Sequence, residues 1–395
     1  MPPPAPNGMR LDDVRVLDLT RLLPGPYATQ LLADMGADVV KVEDTGAGDY
    51  ARHTPPVTER GTGALFDSVN RGKRSVAIDL KSDAGREAFM ELAAGADVVF
   101  EQFRPGVVDR LGVDYDSVRE VNDEVVYCSL SGYGNSGPYR ERAGHDLNYV
   151  GVAGLLDMTR NGEDDAPRVP GYQIGDLGGG LFAAFSIVSA LLSRELGNGG
   201  GEYIDVSMTD VVASFSQSVA YEALAGEDPR PGGTALTGQY PWYDVYQCAD
   251  GQYITLGALE PEFWQAFCEE VGREEWVGEH MSGDPDRRAA LREGLEELFA
   301  ERTREEWLAE LSDGTMTGPV LTPAEAFEHD QLSERVVKRP ADAPPRVGFP
   351  AMGTDVPTDT DESVPGHGEH TAAVLREAGL DDDEVESLLD SGAVS

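Results

Sequence analysis

Two short segments carry side chains able to move a proton. Ala143-Gly-His-Asp sets His145 beside Asp146, and some thirty residues on, Gly175-Asp-Leu-Gly-Gly-Gly centres on Asp176. An imidazole both gives and takes a proton near neutral pH. A carboxylate facing it across a small cavity would complete an acid/base pair. Such a pair takes a proton from one face of a carbon and returns one to the other.

Each residue also has a plainer explanation. Asp176 opens an apolar stretch and can act as a helix cap. Gly178, Gly179 and Gly180 are poor material for first helical turns unless something must approach the backbone closely, and a ligand carbonyl or thioester would do so. His145 is one of six histidines (His53, His145, His280, His329, His367, His370), and a lone histidine is more often a packing or surface residue. Asp146 can orient His145, cap a helix beginning near Asn148, or help aim that helix N-terminus at an oxyanion. Glu260, in Gly257-Ala-Leu-Glu-Pro, is either an exposed turn residue or a second-domain carboxylate reaching the cleft.

Positive charge is scarce, so its clustering is informative. Asn70-Arg-Gly-Lys-Arg holds three basic residues, and Phe103-Arg-Pro-Gly holds Arg104. These suit phosphates, or else form a salt-bridged turn; Arg21 and Arg52 are weaker candidates. His367-x-x-His370 has a spacing that metals use but lacks companion ligands, so no metal is expected. The three cysteines, Cys128, Cys248 and Cys268, have no paired spacing and read as buried thiols.

The whole chain constrains the partners. In 395 residues, 31 Lys and Arg face 72 Asp and Glu, a formal charge of −41. Nucleic acid is an unlikely match for such a surface. The acidic residues are spread along ordinary apolar runs, as in a globular protein kept hydrated at high salt, so a halophilic cytoplasm is the expectation. No uninterrupted apolar run reaches transmembrane length, and the Pro-rich start at Met1 to Gly8 offers no signal-peptide core. No membrane association or export is expected.

The elements that must position these groups alternate. Apolar runs at 14–19, 37–42, 75–80, 97–100, 124–130 and 202–206 read as strands. Helices are expected at 27–35, after a Pro24–Pro26 turn, and at 83–94, 178–196 and 210–223. This pattern predicts an α/β fold with an open, Rossmann-like parallel sheet. The first turn lacks G-x-G-x-x-G, so a nicotinamide fingerprint is absent. A Pro/Gly-rich stretch near 228–238 separates a smaller α/β domain, which starts with a hairpin across Asp250-Gly251. The expected boundaries are 1–227, 228–325 and 326–395.

Longer motifs carry a family likeness. Val16-Leu-Asp-Leu-Thr through Leu23-Pro-Gly-Pro-Tyr, Leu32-Ala-Asp-Met-Gly-Ala-Asp-Val-Val-Lys-Val-Glu, and Asn70-Arg-Gly-Lys-Arg-Ser form its first part. Glu101-Gln-Phe-Arg-Pro-Gly-Val, Ser131-Gly-Tyr-Gly-Asn-Ser-Gly-Pro and Gly201-Glu-Tyr-Ile-Asp-Val-Ser-Met continue it. With these motifs the chain resembles the family III CoA-transferases over nearly all of residues 11–350.

The resemblance implies an interlaced homodimer in which residues 326–395 return to the large domain. It implies an acyl-CoA thioester substrate and no separate cofactor, since CoA is part of the substrate. CoA would lie at the edge of the large-domain sheet, near Arg52, Asn70, Lys73, Arg74, Gln102, Phe103 and Arg104. Asp176 matches the family's shared aspartate, a nucleophile in its transferases and an acid/base in its racemases. Gly144-His-Asp and Glu260 in Gly-Ala-Leu-Glu-Pro resemble the racemase pattern. The expectation is therefore racemisation at C2 of a 2-methylacyl-CoA by His145 and Asp176, tuned by Glu260 and Asp146. The alternative is CoA transfer to a free acid such as mesaconate, with Arg142 as the nearest residue to receive a second carboxylate.

Overall fold

The structure, a computed structural model, describes residues 10–162, 165–352 and 361–395. The Pro-rich start and part of the turn-rich 351–366 stretch lie outside the described residues. Two compact units emerge. One comprises the chain up to Gly154, Pro170–Phe215 and Arg335–Ser395; the other comprises Leu155–Val169 and Ser216–Glu334. The chain thus changes unit at 215–216, not at the Pro/Gly-rich stretch, and the smaller unit also takes an excursion at 155–169.

The larger unit is built on six strands: β1 (Arg15–Asp18), β2 (Asp38–Glu43), β3 (Arg74–Ala77), β4 (Val98–Glu101), β5 (Val126–Ser131) and β6 (Glu202–Ser207). Their order is β3-β2-β1-β4-β5-β6, and every pairing is parallel. Leu17 pairs with Val40 on one side and Val99 on the other. Strands buried on both faces need continuous apolar runs, which is how they read in sequence. The order reverses between β1 and β4, and in such sheets ligands gather beyond the strand ends at that point.

One face of the sheet packs on the helix Asp83–Ala94 and on the C-terminal helices Thr371–Glu377 and Asp382–Ser391, through Phe89, Leu92, Val374, Leu375 and Val385. The other face carries the helices Pro24–Asp34 and Ile174–Glu195, through Leu31, Leu32, Ala183, Ile187 and Leu191. Ile174–Glu195 is long and apolar enough to cross a membrane by length and composition; here one side of it is core.

Two local expectations change. Pro24–Pro26 is not a turn but the first turn of a helix, where proline's missing N–H costs nothing. The bend falls earlier, at Leu22 (φ 66°), whose N–H is held by Asp49 at 3.0 Å. The helix expected at 210–223 is two helices, Met208–Ser214 and Gln217–Leu224, broken where the chain changes unit.

The smaller unit has an antiparallel sheet of β7 (Tyr243–Gln247), β8 (Tyr253–Gly257) and β9 (Thr317–Val320). The β7–β8 turn contains Gly251 at φ 78°, a left-handed position that glycine fills without strain. Trp242, Trp264, Phe267, Leu295, Phe299 and Trp307 fill its core. In the larger unit, β10 (Val337–Lys338) and β11 (Arg346–Val347) form a two-stranded ribbon. Cys128, Cys248 and Cys268 are free and buried.

Candidate active site

The helix Ile174–Glu195 places Asp176 in its first turn. Asp146, at the start of the helix Asp146–Val152, accepts the backbone N–H of Gly175 at 2.7 Å and of Asp176 at 3.0 Å through Oδ1. Asp146 therefore caps the helix of Asp176 from outside, rather than serving only its own. A carboxylate on those orphan donors also complements the positive helix end. His145 is the N-cap of the Asp146 helix, with its N–H on Asn148 Oδ1 at 3.0 Å, and its residue is exposed.

His145 and Asp176 line one cavity of about 240 Å³ beyond the ends of β1, β4 and β5. Gln102, Phe103 and Arg104 join them there, as do Arg140 and Arg142. Burial, and then the charge of Asp146, push Asp176 up to about 7. A carboxyl titrating there can act as acid or base at neutral pH. Tyr149 anchors the loop that bears His145, donating to the Gly144 carbonyl at 2.6 Å and packing edge-on against Tyr133. Burial followed by the Asp176 charge pushes its phenol up to about 12, so it stays protonated.

The glycines after Asp176 serve the protein's own packing, contrary to the ligand-approach expectation. A Cβ at Gly180 would fall 2.3 Å from the Pro24 carbonyl oxygen, and at Gly179 2.5 Å from Met208 Cγ. At Gly178 it would fall 3.0 Å from Phe215. Small residues here let the Asp176 helix lie directly against the Pro24 helix and the segment after β6.

The expected phosphate-binding segment also differs. Lys73 is fully buried, with its ammonium on Thr29 Oγ1 (2.7 Å), Asn70 Oδ1 (2.9 Å), the Pro26 carbonyl (3.0 Å) and Asp18 (3.3 Å). Burial pulls it down to about 7, against the opposing Asp18 charge. Asn70 donates inward to the Phe66 carbonyl. Arg52 is buried on Glu43 at 2.6 Å; burial would raise that carboxyl, but Arg52, the Lys41 charge and the Asp49 N–H together outweigh it and hold Glu43 at about 2. Arg74 pairs with Asp38 and Glu377. Lys73, Arg52 and Arg74 are turned to partners within the chain because Asp18, Glu43 and Asp38 lie on the strands beside them. Glu260 is an exposed N-cap of the helix Pro261–Glu270 in the smaller unit.

A second cavity, of about 530 Å³, opens past the ends of β1 and β2 and is lined by Thr20, Glu43, Tyr50 and Lys81. It shares Arg21, Phe103 and Arg104 with the cavity of His145 and Asp176. Arg21 lies over the rings of Tyr50 (5.0 Å) and Phe103 (5.8 Å). An elongated ligand with an anionic end and a reactive end can run from one cavity to the other past these arginines. Among the described residues, no three metal-type side chains converge. His367 Nε2 is hydrogen-bonded to the Asp44 carbonyl, and His370 Nδ1 accepts the Ser75 N–H.

Sequence reading missed Arg140, which lines the cavity of His145 and Asp176, and the buried state of Glu101, which lines neither cavity. Glu101 ends β4, is buried, and accepts the Phe103 N–H at 2.6 Å; burial pushes it up to about 7 despite bonds from Ser129 and Phe103. A carboxylate ending a run of valines and phenylalanine, Val98-Val-Phe-Glu, was the available signal.

The fold and site define an α/β protein of Rossmann strand order with a carboxyl and an imidazole facing one cavity at the switch point. Residues 11–371 match the family model for CoA-transferase family III, and the chain belongs to that family. It is 36% identical to the succinyl-CoA:mesaconate CoA-transferase of Haloarcula marismortui, covering 94% of this chain and 97% of that one. It is 34% identical to the alpha-methylacyl-CoA racemase of Mus musculus, covering 96% of each. A CAIB/BAIF family protein from Brucella suis has the same fold, with a TM-score of 0.79 at 32% identity over 93% of this chain and 98% of that one.

Proposed function

We propose that this protein racemises the C2 centre of a 2-methylacyl-CoA thioester. The observation that carries the reading is the shared cavity of His145 and Asp176, with Asp176 titrating near neutrality. One of the two removes the C2 proton; the electron pair moves into the thioester as an enolate; the other residue protonates the opposite face. The two groups exchange roles in the reverse direction. CoA lies along the second cavity, with Arg21 and Arg104 toward its phosphates. Asp146 tunes the protonation of Asp176. No separate cofactor or metal is required.

A second reading is favoured by Arg140 and Arg142 in the cavity wall and by the mesaconate-type relatives. There Asp176 Oδ attacks the thioester carbonyl and expels the CoA thiolate, giving a mixed anhydride; the thiolate attacks the Asp176 carbonyl and releases the donor acid, and the aspartyl-CoA thioester passes CoA to a second acid by the same two steps in reverse, freeing Asp176. An arginine then holds the distal carboxylate of a dicarboxylic substrate.

A homodimer belongs to this proposal. Leu181, Phe185 and Leu192 lie exposed on the Asp176 helix, an apolar stripe suited to a second copy. So does a cytoplasmic setting at high salt, which suits the −41 charge. Incubation with each enantiomer of a 2-methylacyl-CoA in D2O tests the reaction. Deuterium at C2 with loss of chirality supports racemisation. Transfer of CoA onto succinate or mesaconate, with C2 untouched, supports the second reading and overturns racemisation.

A further inference from the structure

Arg21 stands where the two cavities meet and lines both. Among the described residues it forms no ion pair, and its guanidinium lies over the rings of Tyr50 and Phe103. In a chain so rich in carboxylates, an unpaired arginine at such a junction is open to an anionic ligand. The backbone beside it is strained. Leu22 is left-handed at φ 66°, a conformation that leucine keeps only where its surroundings fix it.

The group that fixes it is Asp49. Its carboxylate accepts the Leu22 N–H at 3.0 Å and the Ala51 N–H at 2.9 Å, and pairs with Lys41 at 2.9 Å. Lys41 donates in turn to the Thr20 carbonyl at 2.8 Å. One ion pair thus grips the chain on both sides of Arg21, at the Thr20 carbonyl and at the Leu22 N–H. The Lys41 and Asp49 side chains are 0% and 1% exposed, so the pair acts on the backbone and not on a ligand.

The same carboxylate sets the surface on which Arg21 rests. Asp49 is the N-cap of the short helix Tyr50–His53, and its hold on the Ala51 N–H places the Tyr50 ring against the guanidinium. Its own N–H donates to Glu43 at 2.9 Å, and Glu43 and Lys41 both belong to β2. The loop is therefore referenced to a strand of the sheet. We infer that Asp49 is a positioning residue for the anionic end of the substrate. By keeping Leu22 left-handed it aims Arg21 at the junction; without it Leu22 relaxes to negative φ and Arg21 turns away. This role rests on the proposed course of CoA past Arg21.

CoA itself is the probe, titrated calorimetrically into the full-length protein at high salt. Arg21→Ala should weaken binding by about tenfold, the scale of one lost charge-assisted contact. Asp49→Ala should weaken it to the same extent, and Arg21→Ala with Asp49→Ala no further, because both changes remove one contact. Leu22→Gly added to Asp49→Ala should return part of the affinity, since glycine takes a left-handed turn unaided. A merely structural defect would not respond in that way. If Asp49→Ala fails to fold for want of a partner to Lys41, Lys41→Met with Asp49→Ala strands no charge and carries the same expectations. No saturable binding, or equal affinity in Arg21→Ala and the unmodified protein, overturns both the course of CoA and the role of Asp49. A weakened Arg21→Ala beside an unaltered Asp49→Ala overturns the role of Asp49 alone. So do losses that add in the double variant, or no recovery with Leu22→Gly.

Discussion

Asp146 grips the backbone of Asp176: its Oδ1 takes the Asp176 N–H at 3.0 Å and the Gly175 N–H at 2.7 Å. The same carboxylate that fixes the helix start also adds negative charge beside the reactive carboxyl. Asp146 therefore acts on both the position and the protonation of Asp176.

Asp146→Asn separates the two effects, since an amide oxygen still accepts both N–H groups. Burial is the larger cause of the raised value and persists, while the charge of Asp146 is removed. Asp176 should then titrate below about 7, though above an exposed carboxyl. In the direction where Asp176 removes the proton, the acid limb of kcat/KM should move to lower pH. An unmoved limb in a folded variant would show that Asp146 acts through geometry alone.

His145→Gln and Asp176→Asn should each stop racemisation but fail differently. A two-base site that loses one base still contacts one face of C2. Each variant should exchange the C2 proton of one enantiomer into D2O without inverting it, and the two variants should choose opposite enantiomers. Racemisation rates should fall by roughly 10²–10⁴, the usual worth of a positioned acid or base. Chiral analysis with NMR reads both quantities. Exchange from both enantiomers in His145→Gln would remove His145 from the chemistry.

Much of this architecture could be read in advance, and the failures share one cause. Strand positions followed from apolar runs such as Val16-Leu-Asp-Leu and Val98-Val-Phe, since both faces of the sheet are buried. That His145 and Asp176 line one cavity was expected from residue type and glycine-bearing context. The inward turn of Asn70–Arg74 did not, because its cause lies in other elements. Lys73 meets Asp18 across the sheet edge, Arg71 meets Asp34, and Arg74 meets Asp38. Those pairings depend on strand register and helix placement, which a local pattern of basic residues does not encode. The Gly178–Gly180 run misled in the same way: its partners, Phe215, Met208 and Pro24, come from distant segments.

Those glycines allow an ordered comparison. Alanine favours a helix by about 1 kcal/mol over glycine, so a free position would gain stability. At Gly180 the new Cβ meets backbone, the Pro24 carbonyl oxygen at 2.3 Å. At Gly179 it meets Met208 Cγ at 2.5 Å, a flexible side chain able to shift. Gly180→Ala should therefore destabilise by about 1–3 kcal/mol, and Gly179→Ala by less. Denaturant midpoints at constant m-value decide the order, and equal costs would contradict the packing described here.

The buried Lys73–Asp18 pair supports the loop that supplies Arg21, Leu22 and Pro24 to the catalytic cavity. Asp18 also accepts from the Thr29 hydroxyl at 2.6 Å and the Thr20 N–H at 2.9 Å, so the loop is tied at both ends. Below about pH 7, where the Lys73 ammonium is charged, Lys73→Met takes the nearer cation from a carboxylate with no exposure to water and leaves it Lys41, so the cost should be about 3–5 kcal/mol. Part of it should return in Lys73→Met with Asp18→Asn, since the amide carries no charge to strand. The single variant should recover some stability as pH falls, because protonating Asp18 relieves the same charge. Equilibrium unfolding of both variants at pH 6 and pH 4, on the charged side of Lys73, tests this. A double variant no more stable than Lys73→Met at either pH would mean that the lysine contributes packing rather than charge.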